Sequence, residues 1–226
     1  WGASSAAQAF SLAAVTLAGA PATVAPPHAV VHPPLHPPGG ATEPLASLTE
    51  DLTADLLLKE LETSRNDDRR YQLVQRLAQI LDPRTVPDLI RLLSDPNAEI
   101  RECVVEALGH MRDPRATPHL LRALSVDNQC LRLLCVEALG HLADESAVSV
   151  LIGLRDEPDE NMKYSAAEAL GRIGSDKAAG PLVSLANYAA KDLRYCIAQA
   201  LGRIKSARGL EPLLKFLRDP DADVRL

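Results

Sequence analysis

Hydrophobic residues recur along this chain at the spacing of one helix face. Within residues 100–111 the apolar positions are separated by four, three, one and three residues, which places them on one side of a helix. Three stretches share this spacing: Ile100, Val104, Ala107, Leu108 and Met111; Leu131, Cys135, Ala138, Leu139 and Leu142; Met162, Ala166, Ala169, Leu170 and Ile173. No alternating strand pattern competes with these stripes, so they predict amphipathic helices.

The residues around these stripes repeat as well. The segments VEALGHM (105–111), VEALGHL (136–142), AEALGRI (167–173) and AQALGRI (198–204) read alike, and VQRLAQI (74–80) is a weaker copy. One residue of each segment marks a register of 31 positions: Ala78, Gly109, Gly140, Gly171 and Gly202. A fixed period of this length is typical of stacked-repeat proteins and favours binding as their function.

Each 31-residue unit is predicted to contain two helices. Four residues after each landmark stands a residue type that caps helix N-termini: Asp82, Asp113, Asp144, Ser175 and Ser206. Pro83 and Pro114 follow directly, at a position where the missing N–H costs little. The first helix of the unit, helix A, therefore begins there. Turn signals such as Asp95-Pro96-Asn97 separate it from the striped helix, helix B.

A two-helix unit cannot bury its apolar face alone, so successive units must stack. The Ala-Leu-Gly triplets suit close stacking, because small residues let neighbouring helices approach. A glycine inside a helix costs roughly 1 kcal/mol relative to alanine, so four glycines at one register indicate a steric requirement. We therefore predict an all-α fold, an α-solenoid of stacked two-helix repeats with a 31-residue period, which a Gly109→Leu substitution would overpack.

Cations occupy a second repeated position, close to the start of each helix B. This ladder consists of Arg70, Arg101, Arg132, Lys163, Arg194 and Arg225. Six residues before three of these cations stand the acids Asp95, Glu157 and Asp219. The corresponding positions before the other three cations hold Ser64, Val126 and Tyr188. A cation at one register six times over indicates a structural role.

The sequence resembles HEAT-repeat proteins of the short type found in phycobilisome lyases. The residues that carry the resemblance are the turn DP-x-A-x-[VI]-R, at 95–101 and 219–225, and the helix B pattern R-x-x-[AVC]-x-E-A-L-G-x-[IML]. The match covers about residues 51–226. It implies a helical solenoid in which an Asp–Arg ladder ties adjacent repeats together, with no acid for this role at Val126 or Tyr188. It also implies a possible part in bilin attachment.

Two regions differ sharply in composition. Residues 1–50 contain Glu43 and Glu50 but no Lys or Arg, and PPHAVVHPPLHPPGG (26–40) is expected to be an extended linker. Residues 9–20 are apolar, so this segment is either a disordered Ala/Pro tail or the remnant of a targeting segment. Residues 51–226 are predicted to form the solenoid, with about five full repeats and a truncated sixth. We expect the sequence to be a fragment or a processed chain.

Charge and cysteine content narrow the function classes. The chain has a formal net charge of -6, and only 3% of its residues are aromatic, so a basic nucleic-acid footprint and base-stacking platforms are not expected. The four cysteines lack metal-binding spacing and are interpreted as small apolar residues in a reducing compartment, which favours a cytoplasmic location. No apolar run is long enough to span a bilayer. The sequence leaves the oligomeric state open.

The exposed face of helix B is the predicted binding surface. In the resembling family helix B lines the concave side, and the positions one, five and nine residues after the ladder cation share one face. We predict that Tyr164, Tyr195, Arg172 and Arg203, with Glu102, Glu106, Glu137 and Glu168, contact a protein or peptide. The alternative is that the tyrosines pack along neighbouring helices and the arginines are merely solvated.

A metal site is a further, weaker hypothesis. Glu106 with His110 and Glu137 with His141 form two Glu-x-x-x-His pairs on adjacent predicted helices, and carboxylate with imidazole can hold iron, manganese or zinc. Deoxyhypusine hydroxylases, which are HEAT-type oxygenases, require adjacent His-Glu pairs after the ladder cation. The corresponding positions here do not match, so their activity is not implied. We therefore expect no metal and no cofactor.

The sequence thus predicts a non-catalytic interaction scaffold that holds a protein or peptide on its helix B surface. The alternative is a bilin lyase subunit, or a chaperone-like factor in phycobiliprotein chromophore attachment, and this rests on family resemblance alone. A metal-dependent enzyme is a third reading. No phosphate loop, dinucleotide fingerprint or nucleophile elbow is present in the sequence.

Overall fold

The structure is a computed structural model that describes residues 54–126, 128–187 and 189–225. Every regular element in these ranges is helical, and the described residues contain no strand. The all-α prediction is therefore confirmed. The predicted Ala/Pro-rich tail, residues 1–50, lies outside the described residues.

Eleven α-helices in the described ranges follow one another as hairpins of a first helix, A, and a longer second helix, B. The A helices are α1 (Ala54–Thr63), α3 (Val86–Leu92), α5 (Thr117–Ala123), α7 (Val148–Gly153), α9 (Ala179–Ala186) and α11 (Ala207–Phe216). The B helices are α2 (Asp67–Ile80), α4 (Ala98–Met111), α6 (Gln129–Leu142), α8 (Glu160–Ile173) and α10 (Lys191–Ile204). Hairpin 1 is α1 with α2, hairpin 5 is α9 with α10, and α11 opens a sixth.

The predicted N-caps explain where most A helices begin. The side chains of Asp82, Asp113 and Asp144 each accept a hydrogen bond from the backbone N–H two residues on, and a short 3-10 turn then leads into the α-helix. Ser206 caps α11 directly. Ser175 is an exception, since its hydroxyl makes no cap bond and instead donates to Glu145 Oε1 of the preceding hairpin at 3.0 Å.

The B helices end in a shared backbone conformation that the sequence did not reveal. The residue after each of them has a positive φ of 52–75°, in the left-handed region. Four of these five residues carry side chains: Leu81, Arg112, Ala143 and Lys205. Only Gly174, with a φ of 75°, is the residue type that adopts this conformation without steric cost. The sharp reversal therefore depends on packing around it as well as on local preference.

Successive B helices pack directly against each other, from α2 through α10. The landmark glycines lie where these helices approach most closely. A Cβ added to Gly109, Gly140 or Gly171 would lie 3.0, 2.9 or 2.8 Å from the Cα of Ala138, Ala169 or Ala200 on the next B helix. The same Cβ on Gly202 would meet nothing within 4 Å. Three glycines therefore meet a steric requirement, and the fourth does not among the described residues.

The hydrophobic core runs continuously between the two layers of helices. Most of the predicted stripe residues are fully buried, for example Ile100, Val104 and Leu108, whereas Met111 is only partly buried. Cys103 and Cys135 belong to this core, and burial raises the pKa of each thiol to about 12. All four cysteines are free; Cys103 and Cys135 pack as small apolar residues, whereas Cys130 and Cys196 are only partly buried. No helix in the described ranges has the length and apolar character to cross a membrane.

Candidate protein-binding face

The helix-B face is the set of side chains one, five and nine residues after each ladder cation. It comprises Tyr71, Gln75 and Gln79 on α2; Glu102, Glu106 and His110 on α4; Leu133, Glu137 and His141 on α6; Tyr164, Glu168 and Arg172 on α8; Tyr195, Gln199 and Arg203 on α10. Every one of these side chains is partly or fully exposed. The face is therefore accessible along all five B helices.

Two tyrosines occupy the same position on neighbouring helices of this face. Tyr164 on α8 and Tyr195 on α10 are both half-buried. The Tyr195 hydroxyl accepts a hydrogen bond of 2.6 Å from Gln199 Nε2, one turn further along its helix. Burial raises the pKa of Tyr164 above its ordinary value, so this phenol is neutral at physiological pH. Both tyrosines combine an apolar ring with a hydrogen-bonding tip.

Arg172 lies at the centre of a polar cluster that joins α6 to α8. It donates to Glu168 Oε1 on its own helix at 2.9 Å, and it lies 4.0 Å from Glu137 Oε1 on α6. It also lies 2.9 Å from Nε2 of His141. Arg203 differs, because it is exposed and forms no ion pair with any residue in the described part of the chain. The two predicted arginines therefore offer different chemistry to a partner.

The contact with Arg172 fixes the protonation state of His141. A guanidinium can only donate, so Nε2 must accept and the neutral ring carries its proton on Nδ1. Burial first, and the Arg172 charge second, lower the pKa of His141, while Glu137 acts in the opposite direction. His110 on α4 approaches the same ring edge-on, with 6.0 Å between ring centroids. The neutral imidazole of His141 thus lies between Arg172 and His110.

Acidification should destabilise the fold through His141. Because its folded pKa is lowered, its contribution is present above the unfolded value of about 6.5 and is lost as the pH falls below it. We expect the free energy of unfolding of the wild type to fall more steeply between pH 7 and pH 5 than that of His141→Gln, whose amide can accept from Arg172 at every pH. Urea denaturation across this range measures both slopes, and equal slopes would contradict the assignment.

The four predicted glutamates do not form one acidic cluster. Glu137 and Glu168 interact with the Arg172 cluster on α6 and α8. Glu102 lies on α4 beside the thiol of Cys130, whose pKa is raised mainly by burial and also by this carboxylate. The α4 side of the face is therefore rich in glutamate and histidine, and the α10 side in tyrosine and arginine.

The proposed metal ligands are not arranged as a metal site. No three His, Cys, Asp or Glu side chains within the described ranges converge as ligands for a metal ion. Nε2 of His141 lies 3.6 Å from Glu137 Oε1 and is already engaged by Arg172. Glu106, His110, Glu137 and His141 thus share a face, but Nε2 of His141 is directed at the Arg172 guanidinium.

The ladder cations lie at the edge of this face and join hairpins at every second junction. Arg70 forms an ion pair with Asp95, a carboxylate that is only 3% exposed. Arg132 reaches Glu157 at 2.5 Å, and Arg194 reaches Asp219 at 2.8 Å, which lowers the pKa of Asp219 below its usual range. Each acid belongs to the hairpin that follows its cation. In the sequence pattern each acid precedes the cation of its own hairpin. In the structure the acid forms its ion pair with the cation of the preceding hairpin.

A second set of contacts between hairpins was not recognised in the sequence. At the N-terminal ends of the A helices, Arg115 Nη2 donates to Pro83 O at 2.6 Å and Lys177 lies 3.1 Å from Glu145. The exposed cations Arg84, Arg115, Lys177 and Arg208 stand at one register of the sequence. That regularity is the signal that could have identified this edge.

Comparison with known proteins identifies the family to which this helical architecture belongs. The family of HEAT repeats matches residues 54–132, 127–194 and 153–226, which together span most of the chain. The chain belongs to the HEAT-repeat family. A phycocyanin lyase complex is among the solved structures with a similar fold, which agrees with the resemblance noted in the sequence. A search of curated proteins gives no significant match.

Several solved structures share the solenoid fold of this HEAT-repeat chain. The complex of CpcE and CpcF of phycocyanin lyase from Nostoc sp. PCC7120 is similar with a TM-score of 0.61 at 23% identity, over 83% of this chain and 78% of that one. A designed armadillo repeat protein in complex with the peptide (KR)4 is similar with a TM-score of 0.55 at 17% identity, over 75% and 93%. At these identities the likeness concerns the fold, and it confirms the predicted α-solenoid.

Proposed function

We propose that this HEAT-repeat protein is a non-catalytic scaffold that binds a protein or peptide on its helix-B face. The observation that carries the proposal is the pair Tyr164 and Tyr195, which present half-buried rings at one register of adjacent helices. Arg172 and Arg203 lie on the same two helices, two turns further along. Tyrosine and arginine are the residue types that most often anchor protein interfaces.

The physical basis is preorganisation. Tyr195 is held by Gln199, and Arg172 by Glu168 and His141, so these side chains have already lost much of their rotational freedom. Binding a partner then costs less side-chain entropy than it would on a mobile surface. The designed armadillo protein in complex with (KR)4 supports this use of the fold, because it is a stacked-helix solenoid that holds a peptide.

Removing both tyrosine rings is expected to abolish partner capture. Tyr164→Ala with Tyr195→Ala deletes the two anchors; both residues are half-buried, and the Tyr164 ring also packs against the edge of the core. Affinity capture from the native cell with mass spectrometry should recover a partner with the wild type and lose it with the double variant. Tyr71→Ala is the matched control, since Tyr71 holds the same position on α2, away from the proposed patch.

Circular dichroism and thermal melting must show that the double variant remains folded. Undiminished capture by a folded double variant would refute the proposed site. Loss of capture with Tyr71→Ala as well would shift the contact area along the stack towards α2.

The alternative function, a part in bilin attachment as a lyase subunit or chaperone, requires a different readout. The likeness to the CpcE–CpcF complex, at 23% identity, reflects the shared fold. Incubation of the purified protein with bilin and an apo-phycobiliprotein would give a coloured covalent adduct if this function applies. Under the scaffold proposal no adduct forms.

A further inference from the structure

The turns that lead into the B helices share a capping position. It recurs every 31 residues, at 66, 97, 128, 159, 190 and 221, and five of the six positions hold asparagine or aspartate. Each of these five side chains accepts a hydrogen bond of 2.9–3.1 Å from a backbone N–H two or three residues further on: Asn66 from Arg69, Asn97 from Glu99, Asn128 from Leu131, Asp159 from Asn161, and Asp221 from Asp223. These residues are therefore N-caps.

Helix α10 is the exception, because its N-cap residue is Ala190. Its backbone has the extended conformation of a cap residue, with φ of -61° and ψ of 161°, but its side chain has no oxygen to accept a hydrogen bond. The N–H of Leu193, the third residue of the helix, is one of the first-turn donors that no carbonyl of the same helix can satisfy. The start of α10 thus requires an acceptor from elsewhere.

Tyr164 of the preceding hairpin supplies this acceptor. The N–H of Leu193 donates to the Tyr164 hydroxyl across the junction between hairpins 4 and 5. Burial raises the pKa of Tyr164, and this hydrogen bond acts in the opposite direction. The ring is held from below, because it packs against the edge of the core. The cap of α10 therefore comes from α8 and not from its own turn.

The other two tyrosines at this register bond within their own helices. Tyr71 accepts from Gln75, and Tyr195 accepts from Gln199 at 2.6 Å, in each case one turn further along. The turns of the hairpins that follow these two tyrosines have their own caps. A tyrosine at this register thus reaches across the junction where the next turn has none.

The residue one turn after Tyr164 accounts for the difference. Glu168 stands where the other two helices have glutamine, and an ionised carboxylate cannot donate to a phenol oxygen. It accepts instead from Arg172, at 2.9 Å. The change from glutamine to glutamate and the change of the cap to Ala190 therefore occur together, on the two sides of one junction.

We infer that Tyr164 is a positioning residue of the helix-B face: its hydroxyl replaces the missing cap of α10 and so fixes the turn that presents Tyr195. Tyr195 is the fifth residue of α10 and directly follows the capped turn. Fraying of that turn would free the Tyr195 ring, which a partner would then have to immobilise at an entropic cost. The positioning role rests on the proposed function, whereas the capping contact does not.

Hydrogen exchange of the Leu193 amide, followed by NMR, tests the cap without a partner. Tyr164→Phe retains the ring and removes the acceptor, so this amide should exchange about five- to tenfold faster than in the wild type. Adding Ala190→Asn supplies a side-chain cap and should restore the slower rate, since residue 190 is exposed and has room for the amide. An exchange rate that Tyr164→Phe leaves unchanged would overturn the capping role.

Tyr71→Phe is the matched control for this experiment. It removes a hydroxyl at the same register, but α4 has Asn97 as its own cap. The amide of Ile100, which corresponds to that of Leu193, should therefore keep its wild-type exchange rate. Equal acceleration at Ile100 and Leu193 would show that the loss of a hydroxyl at this register, and not the loss of a cap, causes the change.

Capture of the partner recovered with the wild type tests the positioning role. Tyr164→Phe should capture about two- to tenfold less of it, and adding Ala190→Asn should restore capture, although residue 190 is not part of the helix-B face. Undiminished capture by Tyr164→Phe would show that the cap does not position Tyr195. A loss that Ala190→Asn fails to restore would show that the hydroxyl itself contacts the partner, so either result overturns this role.

The two proposals can fail separately. If the exchange rates follow the capping contact but the folded double alanine variant still captures the partner, the proposed binding site is wrong and the cap of α10 stands. If the double variant loses capture while the Leu193 amide ignores Tyr164→Phe, the binding site stands and the capping role is wrong.

Discussion

Replacing Asp95 with alanine is expected to lower the free energy of unfolding by about 2–3 kcal/mol, because Arg70 loses its main counter-ion. The carboxylate is only 3% exposed and accepts hydrogen bonds from Arg70 and from the backbone N–H of Asn97. Without it, the guanidinium of Arg70, which is 16% exposed, loses its buried counter-ion and keeps only the exposed carboxylate of Asp67, at 3.2 Å. Urea denaturation of the wild type and the variant measures the difference.

Asp88→Ala is the matched control for this prediction. Asp88 forms an ion pair with Arg91 at 2.8 Å, but the arginine is 76% exposed, so water replaces the contact at little cost. A loss with Asp95→Ala no larger than that with Asp88→Ala would show that the ladder ion pair does not stabilise the stack.

Replacing Gly171 with alanine is expected to destabilise the stack, although alanine is the better helix former. The added Cβ would lie 2.8 Å from the Cα of Ala200, a backbone atom that cannot rotate away. Overpacking costs about 1–3 kcal/mol, and the gain in helix propensity offsets roughly 1 kcal/mol of that cost. The net loss, up to about 2 kcal/mol, is measurable by thermal or urea denaturation.

Gly202→Ala is the control, because it makes the same chemical change at the same register with no atom within 4 Å of the new Cβ. It should raise the stability by up to about 1 kcal/mol. The two substitutions are therefore predicted to have opposite signs. The same sign at both positions would contradict the close approach of the B helices at Gly171.

Much of the fold could be predicted from residues that act locally. The N-caps Asp82, Asp113 and Asp144 act on the backbone two residues away, so their positions in the sequence locate the helix starts. Ser175 shows the limit of this reasoning. Its hydroxyl donates a hydrogen bond to Glu145, 30 residues earlier, and only the packing of two hairpins brings the two residues together. The left-handed backbone conformation of Leu81 and Ala143 could not be predicted either, because neither residue type favours that conformation.

The candidate site was predictable only as a face. Helical spacing places Tyr164, Glu168 and Arg172 together on α8, but it does not set the rotation of α8 relative to α6. That rotation brings Arg172 to His141, so that the guanidinium contacts Nε2 of the imidazole. The side-chain contacts that decide between a metal site and a hydrogen-bonded cluster are therefore tertiary.

The ladder illustrates both sides of this limit. The acids Asp95, Glu157 and Asp219 can be identified from the sequence, and so can Val126 and Tyr188, which stand at the same repeat position in place of an acid. The sequence does not show that each acid reaches back 25 residues to the preceding cation. Once that connection is known, Val126 and Tyr188 mark the two repeats in which the sequence supplies no ladder acid.

Hydroxyl-radical footprinting of the protein with its captured partner is the most direct test of binding on the helix-B face. It compares the oxidation of individual tyrosines in the free and bound protein. The account predicts that Tyr164 and Tyr195 become protected on binding while Tyr71 does not. Protection that leaves both Tyr164 and Tyr195 unchanged would place the partner on another surface and contradict the account.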